Sequence, residues 1–191
     1  MPTSPREVLD FWFGPEDDPE YGKFRPAWFQ KDEDFDREIR ERFGETYEAA
    51  ASGELDGWRE DAESCLALIV VLDQFSRNMF RGDARTHAAD GKALATARYA
   101  VDNALDRELP PFQRHFVYMP FMHSEDLEEQ RRSEMLFERL RDDGGPDLME
   151  YAVGHREIVE RFGRFPHRNA ILDRETTPQE AAFLEGPDSS Y

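Results

Sequence analysis

Apolar residues recur at helical spacing along most of this sequence, and that pattern constrains the fold more than any other feature. Between Asp32 and Gly53, four apolar residues come every fourth position: Phe35, Ile39, Phe43 and Tyr47. This spacing is typical of one face of an amphipathic helix. No segment alternates apolar and polar residues over the length of a strand, and no hairpin turn joins two β-branched runs. The sequence therefore predicts an all-α fold.

Capping residues, prolines and glycines divide the chain into about seven to nine predicted helices. Capping boxes at Ser4–Glu7 and Thr177–Glu180 predict a first helix to about Phe13 and a last helix to about Glu185. Other breaks predict helices over roughly residues 84–104 and over residues 112–119, the second ended by Pro120. Because the connections are short, we expect consecutive helices to pack as antiparallel hairpins in one domain covering residues 1–191.

The run from Cys65 to Leu72 is apolar on every side, which predicts a central helix. A buried strand is the alternative for so short a run, although the flanking residues extend the helical pattern. Cys65 is the single cysteine, and we interpret it as a small buried hydrophobe rather than a nucleophile. Polar residues follow Leu72 directly, so polar chemistry is expected at the end of the most buried element.

The charge balance is strongly acidic, with 42 acidic residues against 24 basic ones and a net charge of -18. Such a chain is a poor partner for nucleic acid or anionic membranes, which require a basic surface. No apolar run approaches the roughly 20 residues of a membrane-spanning helix, and no signal peptide is evident. A lone cysteine agrees with a reducing compartment. We expect a soluble cytoplasmic protein.

The first candidate functional segment begins with Asp73, and it also carries Arg77 and Arg81. Asp73 could be a carboxylate held in place by Arg77 one helical turn later, which would leave Arg81 to bind an anion. The structural alternative is a simple i,i+4 ion pair, with Arg81 capping helix carbonyls. The sequence leaves these alternatives open.

The second candidate segment contains His123, which is followed by Glu125 and Asp126. A histidine beside two acids could be a general base with an orienting carboxylate, or part of a metal site. Alternatively, Ser124 and the acids cap the next helix while His123 packs against Phe121. Glu125 fits the capping interpretation, and the role of His123 stays open.

The third candidate segment is a loop that follows a helix ended by Gly163, and it carries Arg164, His167, Arg168 and Asn169. Arginines on such a loop could grip a carboxylate or a phosphate, or they could tie helix ends and acidic faces together. His155 lies on the apolar stripe of the preceding helix and is interpreted as a hydrogen-bonded core residue. The sequence leaves both interpretations of the arginines open.

Motifs for metals, nucleotides and serine nucleophiles are absent from the sequence. HExxH, cysteine-based metal spacings, a P-loop, GxGxxG and GxSxG are not found. No cofactor or metal is therefore predicted. Convergence of His123, His155 and His167 on a metal with Asp73 or Asp126 is a separate hypothesis that only a structure can test.

Four segments together resemble a bacterial family catalogued as domain of unknown function 924. They are VLDFWFG (Val8–Gly14), LDQFSRNMFRG (Leu72–Gly82), YMPFMHSED (Tyr118–Asp126) and the stretch His155–Glu180 around RFGRFPHRNAIL. The resemblance covers nearly the whole chain in order, and it implies tetratricopeptide-like helical hairpins. It brings no established activity. This sequence departs from the family pattern at Ser76, where proline is usual, and at Asp173, where glycine is usual.

Two functions follow as hypotheses. In the first, the helices enclose a pocket for a small anionic metabolite, with Arg77, Arg81, Arg164, Arg168 and Asn169 as ligand-binding residues. His123, His167 and Asp73 would then be the catalytic candidates, and the chemistry would be hydrolytic. In the second, the chain is an interaction module of tetratricopeptide-like fold that binds a protein or peptide partner without catalysis.

Overall fold

The computed structural model describes residues 2–187, and within that range it contains helices and turns but no strand. The all-α prediction is confirmed. The helices are α1 (Pro5–Phe13), α2 (Glu33–Ser52), α3 (Ala62–Ile69), α4 (Ser76–Met79), α5 (Asp90–Asp102), α6 (Pro111–Met122), α7 (Leu127–Asp142), α8 (Met149–Phe162) and α9 (Pro178–Leu184). Within this range no helix is long and apolar enough to cross a membrane.

Local capping chemistry sets most helix ends where the sequence predicts them. Both predicted capping boxes form, at Ser4 for α1 and at Thr177 for α9. Asp32 caps α2 by accepting hydrogen bonds from the backbone N–H groups of Asp34 and Phe35. Helix α8 ends at Gly163, whose φ of 69° lies in the left-handed region that glycine adopts without strain.

Two predicted boundaries were wrong. Helix α6 continues through Pro120 to Met122, because a proline in the last turn removes a single backbone hydrogen bond while the buried side chains of Phe121 and Met122 hold that turn in place. The helix predicted over residues 84–104 is divided into a 3₁₀ turn, Ala84–His87, and α5. Asp83 caps the 3₁₀ turn by accepting a hydrogen bond from the backbone N–H of Arg85.

The central helix is the most buried part of the structure. A π-helical turn, Val70–Phe75, connects α3 to α4, so the chain is helical without interruption from Ala62 to Met79. Every residue from Cys65 to Ser76 is buried, which confirms the central helix and excludes the strand alternative. Helices α1, α2, α5 and α6 pack around it.

The second half of the chain packs in sequence order. Helix α6 packs on α7, and α7 packs on α8, as expected for hairpins of consecutive helices. A smaller apolar cluster of Ile158, Val159 and Phe165 joins α8 to the loop after it. The likeness of these hairpins to tetratricopeptide repeats stays a prediction.

Candidate functional site

Polar residues from four parts of the chain, one of them the central helix, meet in one group. Two come from the end of the π-helical turn and from α4, two from the 3₁₀ turn before α5 and the first residue of α5, one from the end of α6, and one from the loop after α8. We call this group the Arg77 cluster, and its members are Asp73, Arg77, His87, Asp90, His123 and Arg168.

Asp73 is a fully buried carboxylate at the centre of the Arg77 cluster. Its Oδ1 lies 2.8 Å from His123 Nδ1 and 3.1 Å from Arg77 Nη1, and its Oδ2 accepts a hydrogen bond of 2.6 Å from Gln74 Nε2. Burial by itself would raise the pKa of Asp73, but the positive charge of Arg77 and the contact with His123 outweigh it and lower that pKa. The carboxylate is therefore charged.

Arg77 connects Asp73 to a second carboxylate, Asp90. Its Nη1 donates to Asp90 Oδ1 at 2.9 Å and to the backbone oxygen of Asp73 at 2.8 Å, while Nη2 donates to Asp90 Oδ2 at 3.2 Å. Although burial acts to raise the pKa of Asp90, Arg77 and the hydrogen bond with His87 lower it well below its usual range. Arg77 thus pairs with two carboxylates.

His123 caps the end of α6, and Asp73 orients its ring. A charged carboxylate only accepts hydrogen bonds, so Nδ1 of His123 carries the proton and donates it. Burial and the nearby Arg77 lower the pKa of His123, against the opposing influence of Asp73, so the ring is neutral at neutral pH. Its Nε2 then has a lone pair, and no residue in the described range donates a hydrogen bond to it.

Arg168 reaches the cluster from the 3₁₀ turn Pro166–Arg168. Its Nη2 donates to the backbone oxygen of His123 at 2.9 Å, and its Nη1 lies at 3.4 Å from Asp90 Oδ2. The guanidinium lies 4.5 Å from the centre of the Phe165 ring. Burial and repulsion by Arg77 lower the pKa of Arg168 to about 10, which leaves it charged at neutral pH.

Arg168 has hydrogen-bonding capacity to spare. A guanidinium carries five N–H donors, and the described residues accept from two of its three nitrogens. Its Nε is buried and has no hydrogen-bond partner within residues 2–187. Each Nη nitrogen of Arg168 carries two N–H groups and has one acceptor among the described residues, so one N–H of each is left for a further anion.

Four members of the cluster line an open cleft of about 360 Å³: His87, Asp90, His123 and Arg168. The same cleft is lined by the apolar side chains of Leu94, Pro120 and Leu172. Arg77 and Asp73 lie behind these residues and do not line the cleft. A neutral histidine, a guanidinium, two carboxylates (Asp90 and Glu125) and an apolar wall thus share one small cavity.

Four residues named from the sequence belong to the cluster, and two arginines lie outside it. The four are Asp73, Arg77, His123 and Arg168. Arg81 instead pairs with Asp36 of α2 at 2.5 Å. Arg164 pairs with Glu180 of α9 at 2.6 Å. Each of these two arginines pairs with a carboxylate that does not line the cleft, because the neighbouring element there carries an acid.

Asn169 lies under the loop that presents Arg168. It is fully buried, and its Oδ1 accepts a hydrogen bond of 3.0 Å from Arg174 Nε. Arg174 in turn donates to both carboxylate oxygens of Glu125, at 2.7 and 3.0 Å, and Glu125 accepts from the backbone N–H of Phe165 at 2.8 Å. Asn169 therefore holds the loop in shape and does not line the cleft.

The other histidines of this region have different surroundings. His167 is half-buried beside Phe165 and does not line the cleft, and burial together with Arg168 lowers its pKa to about 4. His155 contacts the backbone oxygen of Tyr151 through Nδ1 at 2.8 Å and packs edge-on against Phe165. Among the described residues, no three histidine, cysteine or acidic side chains come together with the geometry of a metal site.

Sequence reasoning missed His87 and Asp90. His87 Nδ1 lies 3.2 Å from Asp90 Oδ2; His87 ends the 3₁₀ turn, and Asp90, three positions later, begins α5. The histidine-x-x-aspartate spacing was the available signal, since residues three apart face each other on helical backbone. That signal is weak, and the sequence around His87 and Asp90 does not indicate that Asp90 pairs with Arg77.

The comparisons with known proteins identify the family. The family described as bacterial protein of unknown function (DUF924) matches residues 8–188, so the chain belongs to this family. A solved structure of a protein of unknown function from Agrobacterium tumefaciens is 45% identical, with a TM-score of 0.84, and the similarity covers 95% of this chain and 97% of that one. A search of curated proteins found no match.

The structure accommodates both departures from the family pattern. Ser76 follows the π-helical turn, and its Oγ donates to the backbone oxygens of Leu72 at 2.9 Å and Asp73 at 3.1 Å. Asp173 has a φ of 52°, a left-handed conformation that glycine adopts without strain. The turn after Leu172 is thus made with an aspartate in a position suited to glycine.

Proposed function

We propose that this protein binds a small molecule with an anionic group in the cleft of the Arg77 cluster, and that it hydrolyses that molecule with His123 as the general base. The observation that carries the proposal is the hydrogen bond between buried Asp73 and His123 Nδ1, which leaves Nε2 as a lone pair beside a cleft. A base of this kind can take a proton from water as the water attacks. Asp73 stabilises the imidazolium that forms.

The anionic group is supported by the spare donors of Arg168. A carboxylate or a phosphate can accept two parallel hydrogen bonds from one guanidinium. A cleft of about 360 Å³ lies at the lower end of the roughly 300–1,000 Å³ of small-molecule sites. We therefore propose a compact metabolite rather than a polymer as the ligand.

The net charge of the chain opposes an anionic ligand only weakly at this place. The Arg77 cluster holds two carboxylates, Asp73 and Asp90, and two guanidinium groups, Arg77 and Arg168. Glu125 also lines the cleft and pairs with Arg174, so these charges sum to zero. At physiological salt, exposed charges farther than about 8 Å are largely screened. The proposal keeps the cytoplasmic location and the absence of nucleic acid and membrane partners that the sequence predicts, and it needs no cofactor.

One observation favours the alternative, a protein-interaction module without activity. Phe24 and Phe29 are both at least half exposed and stack on each other with ring centres 5.8 Å apart. Paired exposed aromatic rings are common in protein interfaces. This pair would then contact a peptide partner, and the tetratricopeptide-like fold would be the scaffold.

Ligand binding is tested by thermal unfolding with inorganic phosphate, acetate and small dicarboxylates. A ligand at about 100 times its dissociation constant adds roughly 2.7 kcal/mol to the free energy of unfolding. For a chain of this length, that corresponds to a rise of roughly 5–10 °C in the midpoint. Arg168→Gln removes the charge but can still donate to the backbone of His123, and it should lose the shift.

The matched control is Arg81→Gln, which removes an arginine that pairs with Asp36 and does not line the cleft. It should keep the full ligand-induced shift. Equal shifts in Arg168→Gln and in the wild type would show that the cleft arginine binds no anion, and that result would contradict the proposal.

Catalysis is tested with a panel of small phosphate and carboxylate esters. His123→Gln keeps a hydrogen bond to Asp73 but has no basic nitrogen, so hydrolysis should fall by about 100-fold or more. The rate of product formation is measured for the wild type and the variant at equal protein concentration. Full activity in the variant would exclude His123 as the base.

A further inference from the structure

We infer that His87 is the second acid–base residue of this cleft and gives a proton to the leaving group of the ester. This inference rests on the proposed function, because a leaving group exists only if the protein hydrolyses a bond. His87 lies at the end of the 3₁₀ turn Ala84–His87 and lines the same cleft as His123. Neither the sequence patterns nor the family resemblance pointed to it.

The first argument is the arrangement of two equivalent pairs around one arginine. Asp73 contacts His123 Nδ1 at 2.8 Å, and Asp90 contacts His87 Nδ1 at 3.2 Å. Arg77 Nη1 lies 3.1 Å from Asp73 Oδ1 and 2.9 Å from Asp90 Oδ1. Both carboxylates are thus fixed by the same cation, and each fixes one imidazole at the cleft.

The second argument concerns the ring nitrogens. The charged carboxylate of Asp90 can only accept, so Nδ1 of His87 is the protonated nitrogen that donates to it. Its Nε2 has no hydrogen-bond partner in the part of the chain that the structure describes. This nitrogen is therefore the atom that can gain a proton and pass it on.

The third argument is that the other histidines near the cluster, His155 and His167, do not line the cleft. His155 contacts a backbone oxygen through Nδ1 and packs against Phe165. His167 does not line the cleft, and no carboxylate pairs with it in the described range. Of the described histidines, only His87 and His123 line the cleft, and each has an aspartate partner.

The two histidines divide one hydrolysis between them. The oxygen of a water molecule bonds to the carbonyl carbon or the phosphorus atom, and the proton of that water passes to Nε2 of His123. The bond from that carbon or phosphorus to the alcohol oxygen breaks, and the oxygen takes the proton of Nε2 of His87. The products are an acid and an alcohol. His123 then releases its proton to solvent, and His87 takes one up.

The leaving group provides the test. A nitrophenolate leaves without protonation, whereas an alkoxide needs a proton donor. The carboxylate arm compares mono-p-nitrophenyl adipate with monoethyl adipate, each of which keeps a free carboxylate for Arg168. The phosphate arm compares p-nitrophenyl phosphate with glycerol phosphate. For His87→Gln, we expect kcat/KM to fall by about 100-fold on the alkyl ester and to stay within about threefold on the nitrophenyl ester. The pair of esters that the wild type hydrolyses shows whether the substrate is an ester of a carboxylic acid or of phosphoric acid.

A graded series of leaving groups gives a second readout. Across esters of one acid, the loss of kcat/KM in His87→Gln should grow as the leaving alcohol becomes less acidic, because a poorer leaving group depends more on a proton donor. Arg85→Gln, on the same 3₁₀ turn with an exposed side chain, is the matched control and should behave as wild type. Thermal midpoints show that each variant is folded.

The outcomes separate the two proposals. An equal loss on both esters, or no loss on either, overturns the role of His87 while leaving that of His123 intact. Retained activity in His123→Gln overturns the proposed function. If the wild type hydrolyses none of the four esters, both proposals fall.

Discussion

Two fully buried aspartates of this protein make the same kind of contact with helix α6, with different consequences. Asp73 contacts His123 at the end of α6, and Asp106 accepts a hydrogen bond of 2.6 Å from the hydroxyl of Tyr118 within α6. Each carboxylate also lies next to an arginine, Arg77 for Asp73 and Arg139 for Asp106.

The Asp106 site is closed. Arg139 Nη2 donates to Asp106 Oδ2 at 2.7 Å and to the Tyr118 hydroxyl at 3.0 Å, so the hydroxyl both donates and accepts. Tyr118 is fully buried, and burial together with the hydrogen bond to Asp106 raises its pKa to about 12. The three side chains join the turn before α6, α6 itself and α7. They hold the helices together.

The Asp73 site is open, because its partner His123 lines the cleft and has a second ring nitrogen, Nε2, with no hydrogen bond from the described residues. A buried carboxylate with a hydrogen-bonded partner is thus a poor indicator of function by itself. The informative feature is a polar atom that lines a cavity and has no partner in the protein. The following predictions use the two sites as controls for each other.

The largest expected effect is on stability. Arg77→Met leaves Asp73 and Asp90 without their shared cation, and removing one partner of a buried ion pair costs about 3–5 kcal/mol. Arg139→Met should cost less, about 1–3 kcal/mol, because Asp106 keeps its hydrogen bond from Tyr118. Urea unfolding measures both changes. A greater loss of unfolding free energy in Arg139→Met than in Arg77→Met would contradict this prediction.

The next effect separates the sites by activity. Asp73→Asn can turn its amide N–H toward Nδ1 of His123, which favours the ring form with the proton on Nε2 and removes the base. Ester hydrolysis should fall by about 100-fold. Asp106→Asn should stay within about threefold of wild type, since that site is closed to the cleft. Steady-state rates on one ester decide between them.

A smaller effect is expected from removing one hydroxyl group. Tyr118→Phe leaves Asp106 Oδ2 with Arg139 alone, and a weakened buried hydrogen-bond network costs about 1–3 kcal/mol. Activity should not change. His123→Gln should show the opposite pattern, with stability nearly kept and activity lost. If Tyr118→Phe and His123→Gln changed stability and activity alike, the contacts of Asp106 and Asp73 would have the same role.

The smallest effect is the pH dependence of stability. It should have opposite directions for His123 at the Asp73 site and for Tyr118 at the Asp106 site. The folded-state pKa of His123 is lowered, so its contribution is complete above about pH 6.5 and is lost as the pH falls toward that lowered value. The pKa of Tyr118 is raised to about 12, so its contribution is complete below about pH 10 and is lost as the pH rises toward 12.

One proton changes the free energy of unfolding by at most about 1.4 kcal/mol per pH unit. His123→Gln should flatten the acid side of the stability profile and leave the alkaline side unchanged. Tyr118→Phe should do the reverse. Unfolding midpoints from pH 4 to 11 give both slopes, and an unchanged acid slope in His123→Gln would show that this ring titrates alike in the folded and unfolded states.

Most of the fold could be predicted because helix ends are set by nearby residues. Ser4, Asp32 and Thr177 bond to backbone groups two or three positions away, so their chemistry is visible in the sequence. Pro120 misled the prediction because burial of the residues after it, a tertiary effect, holds the last turn of α6. Local rules do not contain that information.

The candidate site could be predicted only in part. Arg77 and Arg81 are four residues apart, as are Arg164 and Arg168, yet one arginine of each pair belongs to the cluster and the other pairs with an acid elsewhere. Their residue type and spacing are the same. What differs is the element packed against each one, and that depends on the whole fold.

The number of residues in the π-helical turn at Val70–Phe75 sets the direction in which Arg77 points, and so the geometry of the proposed cleft. Deleting one residue there would allow the turn to become ordinary α-helix, and each residue of an α-helix turns the chain by about 100°. Arg77 would then face away from Asp90 while the apolar residues before it stayed in place. An insertion or deletion here should disable the cleft, even if each apolar residue keeps its type.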